Sequence, residues 1–109
     1  MRSLSLPFFT PLFSITTAVA AQEPSYTLVI KDHKFQPTEI EVPAGQNVVL
    51  LVKNGDPTPE EFESTELRHE KVVPGGDQTT VYIGPLKPSR YEFFGDFNPA
   101  TAHGHIVVK

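Results

Sequence analysis

The segment YEFFGDFNPATAHGHIVVK, residues 91–109, decides the fold, because it reads as a strand, a polar loop and a closing strand. Tyr91 and Phe93 stand two residues apart, as do Ile106 and Val108, which is the period of a half-buried strand. We expect the chemistry in the loop between them, since a short segment held at both ends presents polar groups on a rigid frame. The polar side chains of this loop are Asp96, Asn98, His103 and His105.

The chain upstream of this segment repeats the strand pattern. Short apolar runs recur about every 8 to 12 residues with glycine and proline between them, which favours a β-sandwich over a helical fold. Residues 58–70 leave two possibilities open, a helical turn or an extended connection, because Phe62 and Leu67 are their only large apolar side chains. We therefore predict an all-β sandwich of seven to eight strands.

The N-terminal residues are predicted to be an export signal. A basic residue is followed by an apolar run and by Ala-Val-Ala at 18–20, which is a small-residue cleavage pattern. Pro7 and Pro11 interrupt the run, whereas a membrane-spanning helix needs roughly 20 unbroken apolar residues, so export is favoured over a membrane anchor. We divide the chain into a signal peptide, 1–21, and one domain, 22–109, with no membrane span after cleavage.

Composition excludes several functions. The chain has no cysteine, so it offers no thiolate nucleophile and cannot build a type 1 blue-copper site, which needs a copper–thiolate bond. A formal net charge of −4 argues against nucleic acid and anionic lipid as partners. No constellation typical of a hydrolase or transferase is visible, and the scattered glycines form no phosphate-binding loop.

The segment 54–70 is a second candidate for chemistry, because it is strongly acidic and contains a single arginine. Like charges crowded in this way attract a cation, since their repulsion falls when a positive ion lies between them. The alternative is a solvated acidic loop that aids solubility. The acidic residues of the segment are Asp56, Glu60, Glu61, Glu63, Glu66 and Glu70.

Several motifs carry a resemblance to a known family. The chain contains F-x-P at 35–37, V-P-A-G at 42–45 and V-K-N at 52–54, ahead of the closing segment 91–109. Together they resemble the cupredoxins, small copper-binding β-sandwiches whose closing segment usually carries Cys-x-x-His-Pro, a methionine and Gly-x-Ile-Val-Val. The resemblance implies a cupredoxin-like Greek-key β-sandwich.

The resemblance also implies which positions correspond to the copper ligands. Gly95 stands where the cysteine would be, and Asn98 where a histidine would be. Thr101 or Ala102 takes the place of the methionine, and Glu60 that of the first histidine. Oxygen donors have thus displaced nitrogen and sulfur, which points toward iron, manganese or copper(II) rather than a copper electron shuttle.

Four further motifs are similar to the EfeO-type cupredoxin-like family, and to its small periplasmic members found with bacterial ferrous-iron uptake permeases. The family's central glutamate falls on Glu63. The two cysteines of its cysteine-containing branch fall on Phe35 and Gly95, and the usual Asp-Phe-His-Pro reads Asp-Phe-Asn-Pro at 96–99. The motifs are PEEFES at 59–64, EKVVP at 70–74, IGPLKP at 83–88 and FFGDF at 93–97.

Carboxylate and imidazole groups are predicted to hold a transition metal, copper or iron. His33 lies where the cupredoxin pattern brings the chain beside the closing loop, either as a ligand or as an exposed strand-end histidine. His103 is open in the same way, whereas His69 and His105 are assigned to the surface. The predicted ligands are Glu60, Glu61, Glu63, Asp96, His33 and His103.

The resemblance implies a periplasmic metal-binding protein of a ferrous-iron uptake system. It would assist Fe²⁺ oxidation, a ferroxidase-type accessory activity, or hand iron to its partner, an iron permease or a periplasmic iron-binding subunit. Two alternatives stay open. One is a metal-free adaptor whose acidic face docks a periplasmic or membrane partner, and the other is a periplasmic copper carrier.

Overall fold

Residues 23–109 form two packed β-sheets in a computed structural model of the chain, which also describes residues 3, 5, 7 and 11–12. The predicted signal peptide, 1–21, falls almost entirely outside the described residues. No helix among the described residues is both long and apolar enough to cross a membrane. The strands are β1 (Ser25–Lys31), β2 (Lys34–Gln36), β3 (Glu39–Val42), β4 (Val48–Asn54), β5 (Glu60–Ser64), β6 (His69–Val73), β7 (Gln78–Ile83), β8 (Ser89–Phe94) and β9 (His103–Val108).

The order of strands is β2-β1-β4-β7 in the first sheet and β3-β9-β8-β5-β6 in the second. Two neighbouring pairs, β1 with β4 and β3 with β9, are parallel, and the other pairs are antiparallel. The prediction of a cupredoxin-like all-β sandwich is confirmed. The described residues contain nine strands, because a three-residue strand follows the first turn and segment 58–70 is extended.

Segment 58–70 contains an extended strand, β5, whose side chains alternate between the two faces of the second sheet. Phe62 is fully buried, and Ser64 is buried on the same face. The hydroxyl of Ser64 donates to the carbonyl of Glu92 at 2.7 Å and accepts from the Leu67 N–H at 3.2 Å. These bonds tie β5 to β8 and hold the turn that leads into β6, so the segment comprises β5, the turn and the start of β6 in a hairpin.

The core between the sheets is centred on three aromatic rings. Phe35, Phe62 and Phe93 come from β2, β5 and β8, and their ring centroids lie 5.1–6.2 Å apart. Phe35 meets each of the other two edge to face, an arrangement that aromatic pairs favour. Aliphatic side chains of β1, β3, β4, β6, β7 and β9 complete the core. With no disulfide, this packing supplies most of the stability of the domain.

The turn between β1 and β2 is stabilised by hydrogen bonds to one carboxylate, that of Asp56, which lies elsewhere in the chain. Asp32 and His33 adopt positive φ angles of 54° and 56°, and their N–H groups donate to Asp56 at 2.8 and 2.9 Å. The His33 N–H contributes most to holding the pKa of Asp56 below its usual range. Thr101 donates to the carbonyl of His33 at 2.5 Å, so the same turn also touches the closing loop.

Candidate metal centre

β5 divides its glutamates between the two faces of the second sheet. Glu60 lies on the same face as Phe62, whereas Glu61 and Glu63 lie on the outer face, as the alternation of a strand requires. Glu63 is directly opposite Glu70 of β6 in the antiparallel register. The two faces therefore carry two separate carboxylate sites.

The outer site consists of Glu61, Glu63 and Glu70, which we call the outer cluster. Each offers one carboxylate oxygen, and these oxygens lie within 4.8 Å of one another. The residues range from buried Glu61 through half-buried Glu63 to exposed Glu70, so the cluster opens to solvent on one side. Three carboxylate oxygens at this spacing match the needs of a metal ion that prefers oxygen ligands.

Glu61 is the unusual member of the outer cluster. Glu61 is only 3% exposed, and its Oε1 atom has no hydrogen-bond partner within the described part of the chain. Burial raises the pKa of Glu61 to about 7, helped by hydrogen bonding with Glu70 and by the charges of Glu63, Glu70 and Asp96. A buried carboxylate oxygen without a partner is costly, and a cation in the cluster would remove that cost.

The inner site is the carboxylate of Glu60, which accepts three hydrogen bonds. Its Oε1 atom accepts from the N–H groups of Glu61 at 3.0 Å and Phe97 at 3.2 Å. Its Oε2 atom accepts from the Asn98 side-chain amide at 2.6 Å. Glu60 is 1% exposed, and these donors satisfy both of its oxygens.

Gly95 and Ala102 close the inner site from the side of the closing loop. A Cβ atom at Gly95 would lie 2.6 Å from Glu60 Oε1 and 2.9 Å from the Ala102 side chain. Positions 60, 95, 98 and 102 therefore converge on one place, as the ligand positions of a cupredoxin would. The Glu60 carboxylate fills that place, and no thiolate or imidazole is contributed by these four positions, so they do not fit a blue-copper ion.

The histidines do not join either carboxylate site. His33 is exposed, and its Nδ1 atom lies 3.8 Å from the Asp56 carboxylate. His103 is exposed and pairs with Phe94 at the start of β9. The Nδ1 atom of His105 lies 3.3 Å from Arg90. Within the described residues, no group of three potential ligands with suitable spacing includes a histidine.

The six predicted ligands are thus not gathered into one pocket. Glu61 and Glu63 come together on the outer face, and Asp96 is near enough to raise the pKa of Glu61. Glu60 is turned to the opposite face by strand alternation, and the two predicted histidines, His33 and His103, belong to other surroundings.

The third member of the outer cluster, Glu70, was absent from the predicted ligands. A signal for it does exist in the sequence. Folding segment 58–70 as a hairpin around the turn after Ser64 places Glu70 opposite Glu63. Because the sequence leaves the conformation of the segment open between a helical turn and an extended connection, the pairing of Glu70 with Glu63 cannot be predicted from it.

Comparison with known proteins supports the fold. The family model of the cupredoxin-like domain matches residues 4–108. An uncharacterised protein of Rickettsia prowazekii (strain Madrid E) is 47% identical over 81 residues, which cover 74% of this chain and 65% of the relative. The chain therefore matches slightly under two thirds of the length of that curated relative.

Solved structures share the architecture at low sequence identity. Auracyanin A, a "blue" copper protein of Chloroflexus aurantiacus, has a TM-score of 0.70 at 15% identity, covering 81% of this chain and all of that one. The metal-binding domain of the Cu(I)-exporting P-type ATPase of Streptococcus pneumoniae D39, with Cu(I), has a TM-score of 0.70 at 14% identity. That match covers 78% of this chain and 84% of the other, and both likenesses concern the fold alone.

Proposed function

The chain belongs to the cupredoxin-like domain family, and we propose that it binds a metal ion through the outer cluster, Glu61, Glu63 and Glu70. Asp96 adds negative charge beside these ligands. We propose further that the protein is exported to the periplasm and that the ion is iron, carried as cargo for a ferrous-iron uptake system. An iron permease or a periplasmic iron-binding subunit is the proposed recipient.

One observation carries the metal-binding proposal, namely that a carboxylate oxygen of Glu61 is buried without a hydrogen-bond partner. Its Oε1 atom is buried without a partner among the described residues, beside two other carboxylates. Protonating Glu61 would reduce the repulsion but still leave a buried oxygen unsatisfied. A cation held between the three carboxylates would supply a partner for that oxygen and would offset the repulsion among all three.

The donor set supports a hard cation. The outer cluster contributes carboxylate oxygens only, and such ligands suit manganese and iron better than the copper(I) form of an electron-transfer site. Iron as cargo is supported by the similarity of the sequence to EfeO-type cupredoxin-like proteins. An electron-transfer role would need soft sulfur ligands, and the chain has no cysteine.

The test is calorimetric titration of chelator-treated protein with Fe²⁺ under anaerobic conditions, and with Mn²⁺ and Cu²⁺. We expect micromolar binding of Fe²⁺ at one site, weakened at least about tenfold in Glu63→Gln. Glu66→Gln is the matched control, because it removes the same charge from the same acidic segment but lies outside the outer cluster. No heat at millimolar metal, or equal weakening in the two variants, would overturn the proposal.

The two remaining functional hypotheses, a copper carrier and a metal-free adaptor, predict different experimental results. For a copper carrier, deletion of the gene would impair growth on copper rather than growth on low iron, whereas tighter binding of Cu²⁺ than of Fe²⁺ in vitro would not distinguish it from an iron carrier because most oxygen and nitrogen sites show it. A metal-free adaptor would capture its partner in the presence of chelator and lose it at high salt, because interactions between exposed charges are screened. Export is tested by the N-terminal sequence of the mature protein, which we expect to begin at Ala21 or Gln22.

A further inference from the structure

We propose that the Glu60 carboxylate is a metal-free lock that joins β5 to the closing loop, residues 95–102, at the place where other cupredoxins hold copper. The lock does not depend on the outer cluster, because its bonds lie on the opposite face of β5. It is therefore independent of the proposed function. Glu60 acts as a positioning residue, since it contacts no ligand of the outer cluster except through the backbone of Glu61.

The first argument is that the bonds of the lock span the fold. Phe97 and Asn98 are 37 and 38 residues away from Glu60 in sequence, yet both donate to its carboxylate. Hydrogen bonds to a carboxylate stabilise a fold more than hydrogen bonds between neutral groups do. A single buried side chain thus attaches the middle of the closing loop to the second sheet.

The second argument is the fit of the loop around the carboxylate. The loop closes on itself through the Gly95 N–H donating to the Ala102 carbonyl at 2.8 Å and the Ala102 N–H donating to the Asn98 carbonyl at 2.8 Å. Only a residue without a Cβ atom leaves room for the Glu60 oxygen at position 95, since that atom would lie 2.6 Å from it. The position of the Glu60 carboxylate therefore requires a glycine at position 95.

The third argument concerns chemistry. A copper ion in a cupredoxin links a strand to the closing loop through side chains of both. Here the same link is made by a carboxylate whose two oxygens both accept hydrogen bonds from N–H donors. The consequence is that the closing loop keeps its conformation without metal.

A double-mutant cycle in chelator tests the fit between positions 60 and 95. Urea unfolding is measured for Gly95→Ala, Glu60→Ala and the double variant. We expect Gly95→Ala to lower the midpoint strongly in the presence of Glu60 and much less in its absence, because the double variant removes the collision. Additive changes in the midpoint would overturn the inference.

A pH series at position 98 provides a second test that does not depend on the cycle. In Asn98→Asp two carboxylates would face each other, so stability should fall at neutral pH and recover partly as the pH is lowered and one of them is protonated. Asn98→Ala is the control, since it loses the donor without adding a carboxylate, and it should show only the pH dependence of the wild type. Equal pH profiles for the two variants would show that Asn98 does not bond to a charged Glu60, and the lock would be wrong.

Discussion

At the scale of the residue, Glu61 shows how a strand can hold a charge in an unfavourable place. Strand geometry puts it on the outer face beside Glu63, while the backbone of the same residue donates to Glu60 on the inner face. Its carboxylate is buried, lacks a partner for one oxygen and faces two other acids. In the absence of metal, protonation of Glu61 lowers both the cost of burying its charge and the repulsion from the neighbouring acids.

We predict that metal-free protein loses stability as the pH rises from about 4.5 to 7. The folded-state pKa of Glu61, about 7, lies above the ordinary value of 4.5, so the folded protein binds the proton more tightly. The stabilisation is complete below pH 4.5 and is lost as the pH passes through 7, by on the order of 2 kcal/mol. Urea unfolding in chelator between pH 5 and 8 measures this loss.

The variant Glu61→Gln should remove the pH dependence that comes from this residue, because an amide does not ionise over the range. It should equal or exceed the wild type in stability at pH 8. Glu66→Gln serves as the control and should retain the wild-type slope. A Glu61→Gln curve parallel to that of the wild type would show that the pKa of Glu61 is not raised.

Asp56 represents the opposite case, a buried acid held in its charged form. We predict that Asp56→Ala destabilises the domain by about 2–3 kcal/mol, because the N–H groups of Asp32 and His33 lose a charged acceptor. Since the pKa of Asp56 is lowered, its contribution is present above pH 3.8 and is lost as the pH falls further. Urea unfolding at pH 7 checks the loss, with exposed Asp32→Asn as a control expected to stay near the wild type.

At the scale of the element, most strands could be predicted because their apolar residues alternate or run continuously. The β5–β6 hairpin could not, since the outward positions of β5 are acidic and only Phe62 marks the inward face of that strand with a large apolar side chain. Only the antiparallel register of β5 and β6 brings Glu70 beside Glu63, and the sequence pattern does not predict that register. The closing loop is shorter than predicted, since His103 and His105 belong to β9. The face of each β5 glutamate depends on a strand boundary that composition does not reveal.

The close approach of β9 to β8 and the turn before β3 allows a test at this scale. A Cβ atom at Gly104 would collide with the Thr38 carbonyl and lie 2.5 Å from the Phe93 ring. We predict that Gly104→Ala destabilises the domain by about 1–3 kcal/mol, as overpacked cores do. Thermal unfolding is the measurement, and His103→Ala, at an exposed neighbouring position, should change the stability by less than about 0.5 kcal/mol.

At the scale of the whole molecule, the sandwich could be predicted from residues spread over the entire domain, whereas the metal site could not. The fold depends on many apolar positions, so it can be predicted even though the sequence leaves the conformation of segment 58–70 open. The site depends on three side chains on one face, and a shift of one residue in β5 would exchange Glu60 for Glu61. This difference explains why the architecture was clear from the sequence and the ligand set was not.

Metal binding should stabilise the whole domain, because an ion that binds the folded state alone shifts the unfolding equilibrium. At a free metal concentration of 100 times Kd the gain is about 2.7 kcal/mol, which raises Tm of a domain of this size by about 10 °C or more. Scanning calorimetry with and without Fe²⁺ or Mn²⁺ measures the shift. It should persist in Glu66→Gln and shrink in Glu63→Gln, and a shift of equal size in both would point to binding elsewhere.

The position of β9 between β3 and β8 has a consequence for biosynthesis. The second sheet lacks a central strand until residues 103–108 have left the ribosome, so β3 has no neighbour in that sheet before then, and β8 has only β5. Contacts of such long sequence separation form late. A nascent chain of this topology cannot complete its second sheet until this last strand has emerged, a property that suits the proposed export.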